Sequence, residues 1–327
     1  MTGGKGLLAM NESNPTCNKR FAAAGIAQTE EVRRAYRELI VTTAGLSESI
    51  SGAILYDETI RQRTRDGTPF ARALASAGII PGIKVDTSAK EMAGHPGEKI
   101  TEGLDGLRGR LAEYRQMGRP VRQVAGRHRG RRRHPQPGLP PGQRARAGPL
   151  RRAVPEAGLV PVVEPEVLMD GAHTLQRCGE VTEELLRAVF TQLQAQRVTL
   201  EGVILKPAMV LPGSACPVQD GVDEVARATV TCLLRAVPAA VPGIAFLSGG
   251  QPGELASARL NALNLSFPAG PPWALAFSFA RAIQQPAMQI WQGQDANVKA
   301  AQEALYHRAS CNRAARCGEY SAAMEQA

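Results

Sequence analysis

Seven short apolar runs recur along the chain, separated by longer amphipathic stretches. The runs are Leu7–Met10, Gly52–Tyr56, Ile79–Val85, Leu159–Glu166, Leu200–Lys206, Gly243–Leu247 and Trp273–Phe277. Between them lie helical patterns at Glu30–Leu46, Leu104–Met117, Thr182–Val198 and Asp223–Val237. In the last of these, Val225, Ala228, Val230, Cys232 and Leu233 fall largely on one face at helical spacing. Strand and helix in strict alternation predict parallel strands joined by crossover helices, an α/β chain. The interval between Val85 and Leu159 is twice the usual spacing, which puts an eighth strand near position 121. Eight such units close a (β/α)8 barrel, and 327 residues suit one barrel domain spanning 1–327, with a C-terminal helix and tail over 295–327. A doubly wound open sheet is the alternative, but no GxGxxG follows the first run.

The formal charge of +9 has the look of a nucleic-acid binder. Its distribution argues otherwise. Eleven arginines crowd between Arg119 and Arg152, a span without Asp or Glu; the rest of the chain holds 28 basic against 30 acidic residues, a net of −2. The segment 119–155 is aberrant, rich in Arg, Pro and Gly, and by composition a basic linker. No apolar run reaches the roughly 18 residues of a membrane helix, and the start, MTGGKGLLAMNES, has too short an apolar stretch for a signal peptide. The six cysteines form no CxxC or zinc spacing and the five histidines no metal pattern, so the expectation is a reduced cytoplasmic protein without a metal site.

Three segments could carry chemistry. Lys206, in LEGVILKP, closes an apolar strand where barrel active sites form. Partial burial there disfavours an ammonium and favours the neutral amine that attacks a carbonyl; a lysine snorkelling to solvent is the plainer reading of that segment alone. Glu164 and Glu166, in VVEPEVL, stand two apart on the expected strand and so face one side, as a proton-transfer pair or as solvated rim carboxylates. Lys84 and Asp86 repeat that spacing, and a salt bridge is the simpler role there. The run FLSGGQ places Ser248, Gly249 and Gly250 after the seventh strand, and Arg281 follows the eighth. Phosphate sites recur at those two barrel positions, built from turned backbone N–H groups and forked arginine donors.

These segments, taken together, resemble class I fructose-bisphosphate aldolases. GKGLLAMNES, SGAILYDET, GIKVD, EGLDGL, LVPVVEPE, LEGVILKP, GIAFLSGGQ, WALAFSFARA and NVKAAQEALYHRA run in family order over about 3–118 and 156–320. The resemblance implies a homotetrameric barrel lyase without metal or cofactor. It implies a phosphorylated sugar substrate, fructose 1,6-bisphosphate, cleaved reversibly to dihydroxyacetone phosphate and glyceraldehyde 3-phosphate. By motif, Lys206 corresponds to the Schiff-base lysine, Glu164 to the acid/base of imine formation and Glu166 to its charged neighbour. Lys84 corresponds to a second active-site lysine. Ser248, Gly249, Gly250 and Arg281 correspond to one phosphate site, and Arg20 to part of the other. Two departures stand out. The family's aspartate in AMDES is Asn11 here, and the terminal tyrosine of many members has no counterpart.

The family also carries a Lys-Trp-Arg strand before VEPE, at the place of Gln123-Val124-Ala125. Length is kept while identity is lost, which points to two compensating single-base changes. Residues 121–128 can be written GTT CGC CAA GTG GCG GGC CGT CAT; read one base later, with C following, they give Phe-Ala-Lys-Trp-Arg-Ala-Val-Ile. As it stands, the segment predicts an opened barrel, poor folding and impaired lyase activity, since proline costs roughly 3 kcal/mol in a helix interior. A non-catalytic barrel whose basic arm binds nucleic acid or an acidic partner is the alternative, disfavoured because the segment has no aromatic residue for base stacking. A transaldolase-like Schiff-base enzyme is disfavoured by the phosphate elements and by VEPE. Nucleotide sequencing across codons 118–156 checks the frame reading. The expected result is an open shifted frame that encodes an apolar strand; stop codons in that frame would contradict it.

Overall fold

A computed structural model describes residues 3–117, 124–126, 158–267 and 270–326. Eight strands form a closed, all-parallel barrel: β1 (Gly6–Met10), β2 (Ile50–Leu55), β3 (Ile80–Lys84), β6 (Val124–Gly126), β7 (Val160–Val163), β8 (Ile204–Leu205), β9 (Gly243–Phe246) and β10 (Ala274–Phe279). Around the ring they run β1–β10–β9–β8–β7–β6–β3–β2, with β2 closing on β1. β4 (Ser88–Met92) and β5 (His95–Glu102) form a separate antiparallel hairpin.

The fourth barrel position is filled. Gly82, Ile83 and Lys84 pair with Val124, Ala125 and Gly126, while Val124 and Ala125 pair with Val160 and Pro161 on the other side. The expected opened barrel is thereby corrected. Ladder hydrogen bonds come from the backbone, so Val-Ala-Gly can serve as a strand without the family's side chains. The remainder of 119–155 lies outside the described residues.

Two further expectations change. Leu200–Lys206 is not one strand: Leu200–Gly202 is a 3₁₀ turn, closed by N–H of Val203 to the carbonyl of Leu200, and the strand proper is Ile204–Leu205. Likewise β7 stops at Val163, so Glu164 and Glu166 follow the strand. Pro165 between them has no N–H to continue a ladder. The hairpin β4–β5 was not anticipated.

Ten helices are described: α1 (Asn14–Ala23), α2 (Glu30–Val41), α3 (Asp57–Arg61), α4 (Phe70–Ser76), α5 (Leu107–Met117), α6 (Leu175–Ala195), α7 (Val222–Ala236), α8 (Gly253–Leu265), α9 (Arg281–Trp291) and α10 (Val298–Cys317). Thr29 caps α2 by accepting from the N–H of Val32 at 3.3 Å, and Thr174 caps α6 through Arg177 at 3.2 Å. With few aromatics, aliphatic side chains fill most of the core. The exception is a cluster under α2 and α9, where Tyr36 stacks on Trp291 at 5.4 Å and Phe21 meets Tyr36 edge-on at 5.5 Å. The long α10 packs against α8 and α9, ends at Gly318 in the left-handed region, and is followed by a short 3₁₀ tail, Ala322–Gln326.

Inside the barrel, Gly6 lies against the fully buried Phe277 ring, and a Cβ at Gly6 would sit 2.6 Å from its atoms. Gly6→Ala is expected to destabilise the fold by about 1–3 kcal/mol, read as a lowered midpoint in urea unfolding.

Candidate active site

In a parallel barrel every strand delivers its last residue to the same rim. Here that rim receives Asn11 after β1, Lys84 ending β3, Glu164 after β7, Lys206 after β8, Ser248 after β9 and Arg281 after β10. The backbone stitches neighbouring strand ends together. The N–H of Lys206 donates to the carbonyl of Val163 at 2.6 Å, and that of Leu247 to Pro207 at 3.0 Å.

The first of these bonds sets Lys206 beside the end of β7. Its Nζ lies 3.4 Å from Oε1 of Glu164, with the side chains 3% and 1% exposed. At this depth each group compensates the other's buried charge. The expectation of a lysine reaching to solvent is excluded by that burial. Glu166, two residues on, is half-buried. Lys84 forms an ion pair with Asp86, and its Nζ stands 5.8 Å from the centre of the Tyr56 ring.

The Ser248–Gly250 loop is held from behind. Gln251, itself buried, donates Nε2 to the Ser248 carbonyl at 3.0 Å and accepts from Nη1 of Arg259 at 2.9 Å. Gly249 and Gly250 both have positive φ, +55° and +83°, and a Cβ on Gly250 would meet Nη2 of Arg281 at 2.9 Å. Only glycine gives that backbone turn and lets the guanidinium approach so closely. The structure therefore brings Arg281, from the start of α9, against the loop that follows β9.

Asn11 is 3% exposed, and its Nδ2 has no hydrogen-bond partner among the described residues. The next residue, Glu12, was not singled out in the sequence, yet it organises this corner. It accepts from Arg20, and from Nη2 of Arg37 at 2.9 Å. Arg37 also donates to Oε1 of Gln284 at 3.3 Å, and Gln284 returns to the carbonyl of Ala9 at 2.7 Å. Arg20 is thus engaged by Glu12, while its Nε and Nη2 are buried without partners among the described residues. The only sequence signal for this network is Arg33 and Arg37, four apart on the face of α2 that turns inward. Arg33 forks onto Glu58 at 2.8 and 2.7 Å.

A closed parallel barrel with a buried lysine and carboxylate at its carboxyl rim defines a (β/α)8 enzyme scaffold. The pattern for the family described as glycolytic, fructose-bisphosphate aldolase class-I, matches residues 1–327. The chain is 50% identical over 329 positions to a probable fructose-bisphosphate aldolase class 1 of Xanthomonas campestris pv. campestris, covering 97% of this chain and 95% of that one. It is 46% identical to the cytosolic fructose-bisphosphate aldolase 6 of Arabidopsis thaliana, covering 98% and 88%. A solved structure of Plasmodium falciparum fructose-bisphosphate aldolase, in complex with TRAP and a small-molecule inhibitor, superposes with a TM-score of 0.90 at 39% identity, covering 98% and 92%. The chain belongs to the class I fructose-bisphosphate aldolase family, and is a lyase. These comparisons lend no support to an impaired enzyme or to a basic arm for nucleic acid. No described helix is long and apolar enough to cross a membrane.

Burial raises the Glu12 carboxyl's pKa, but Arg37 and Arg20 outweigh it and hold the group below its ordinary value of 4.5. A depressed folded-state value means the stabilisation is complete above the unfolded value and is lost as pH falls through the folded one. Glu12→Gln is expected to cost about 3 kcal/mol at neutral pH. In denaturant titrations the two proteins should converge once the wild-type carboxyl is protonated.

Proposed function

We propose that this chain cleaves fructose 1,6-bisphosphate reversibly to dihydroxyacetone phosphate and glyceraldehyde 3-phosphate, with Lys206 as the covalent catalyst. The observation that carries this reading is the buried Lys206–Glu164 contact at the carboxyl rim. The neutral amine of Lys206 attacks the ketose C2 carbonyl. The resulting carbinolamine loses water as Glu164 supplies the proton to the departing hydroxyl, which leaves a protonated imine. The C3–C4 bond then breaks, its electron pair moves into the imine to form an enamine, and the C4 hydroxyl gives its proton to the Glu164 carboxylate, left ionised by the dehydration step, as the aldehyde departs. Protonation at C3 and hydrolysis free the second product and the amine. The imine is the electron sink, so the chemistry needs an amine and proton carriers at one buried place.

The remaining rim residues divide by charge. Arg281 with the Ser248–Gly250 loop suits one phosphate, through a forked donor beside turned backbone. Arg20, whose Nε and Nη2 have no partner among the described residues, suits the other. Lys84 serves the substrate's hydroxyls or phosphate from its pair with Asp86, and Glu166 is the charged neighbour of Glu164. Asn11 presents an amide where the family has a carboxylate, and an amide does not take up the C4 hydroxyl proton. A homotetramer and a cytoplasmic location accompany this reading.

Borohydride reduction in the presence of dihydroxyacetone phosphate, followed by peptide mass spectrometry, tests it. The expected adduct lies on Lys206 and is lost in Lys206→Ala. Glu164→Gln should slow imine formation by roughly 10²–10⁴. An adduct on another lysine would overturn the assignment.

A further inference from the structure

Where α10 packs against α8, the C-terminal tail folds back on α10 and brings together three side chains of different chemistry. His307 and Cys311 stand four apart on α10, hence one above the other on one face. Sγ of Cys311 and Nε2 of His307 are 3.6 Å apart. Glu325, from the tail, places Oε2 3.9 Å from the same nitrogen. One ligand atom from each residue fits within 4.8 Å of the other two. No metal-ligand spacing is visible in the sequence, because Glu325 lies in a segment that only the fold brings near.

We propose that His307, Cys311 and Glu325 form a zinc-binding site that fastens the C-terminal tail to α10. The donor set is the argument. Thiolate, imidazole and carboxylate together suit Zn²⁺ better than a hard cation, which prefers oxygen alone. Zinc bond lengths of about 2.3 Å to sulfur and about 2.0 Å to nitrogen, at a tetrahedral angle, separate the two atoms by about 3.6 Å. The pair on α10 already has that separation. The carboxylate has to come inward, by about half an ångström toward Nε2 of His307 and further toward Sγ of Cys311, from which it lies within 4.8 Å; Arg308 has to release Oε2 for that movement. Binding expels the Cys311 thiol proton to solvent and forms a zinc–thiolate bond, with no change in oxidation state. Burial pushes that thiol up in the metal-free protein, so zinc must displace the proton.

The neighbours define what the metal would meet. Arg308 contacts both oxygens of Glu325, and the Tyr320 hydroxyl donates to Oε1 at 2.8 Å. Zinc takes Oε2, and Arg308 and Tyr320 keep Oε1 as the outer contacts that orient the ligand. The nearby guanidinium opposes the metal's charge and makes this a reversible site rather than a permanently filled one. His307, a third exposed, opens the fourth position to water.

The test uses the full chain, with Zn²⁺ affinity from competition against a chromophoric chelator and Co²⁺ as a spectroscopic probe. The proposal expects one equivalent bound per chain, a thiolate-to-cobalt charge-transfer band that disappears in Cys311→Ser, and Zn²⁺ binding weakened about tenfold or more in His307→Gln and in Glu325→Gln. Zinc should also slow proteolysis of the tail in the parent protein but not in Glu325→Gln. Should Cys311→Ser fail to fold by circular dichroism, the other two variants decide, since both positions are partly exposed. Affinities of His307→Gln and Glu325→Gln within about twofold of the parent, a band that survives in folded Cys311→Ser, or no stoichiometric binding would each overturn the proposal.

Discussion

Closure of the strand ring is the constraint on which the rest depends. A parallel barrel has no free edge only if every strand finds two neighbours, and here two short strands complete the ring: β8, Ile204–Leu205, between β7 and β9, and β6, Val124–Gly126, between β3 and β7. Because the ring is parallel, closing it also gathers the ends of β1, β3, β7, β8, β9 and β10 at one rim. The chemistry follows from that gathering. Lys206 and Glu164 are 42 positions apart in the chain and 3.4 Å apart in space because β7 and β8 are adjacent staves, joined by the Lys206–Val163 backbone bond.

The rim is also where the fold buries charge, and it does so in answered sets. Lys206 has Glu164, Lys84 has Asp86, and Glu12 has Arg20 and Arg37. Removing one member of such a set leaves an uncompensated charge, which is more destabilising than never having buried the pair. These residues therefore serve stability and chemistry together. Asn11 stands apart from the sets. It is neutral, buried, and its amide nitrogen is unanswered among the described residues.

Much of the barrel was legible in the sequence, because apolar runs of four to eight residues between helical patterns have few other solutions. The interval before Leu159 even located the fourth strand, although its side chains gave no apolar signal. What escaped reading has identifiable causes. The hairpin at Ser88–Glu102 is polar and makes no apolar pattern. Leu200–Gly202 is apolar in part but turns, since Gly202 favours a tight bend over an extended ladder. Glu164 and Glu166 lie beyond the strand they seemed to belong to. The rim residues Lys206, Ser248 and Arg281 were placed by position at strand ends. Glu12, Gln284 and the meeting of His307 with Glu325 were not, because each depends on elements distant in sequence.

Hydrogen exchange across the fourth strand tests this account most directly. If the ring is closed, the amides of residues 124–126 that face β3 or β7 exchange as slowly as those of the strands they join, and the neighbouring amides of β7 share that protection. Exchange of 124–126 at the rate of an unstructured peptide, with β3 and β7 exchanging as open edges, would contradict it.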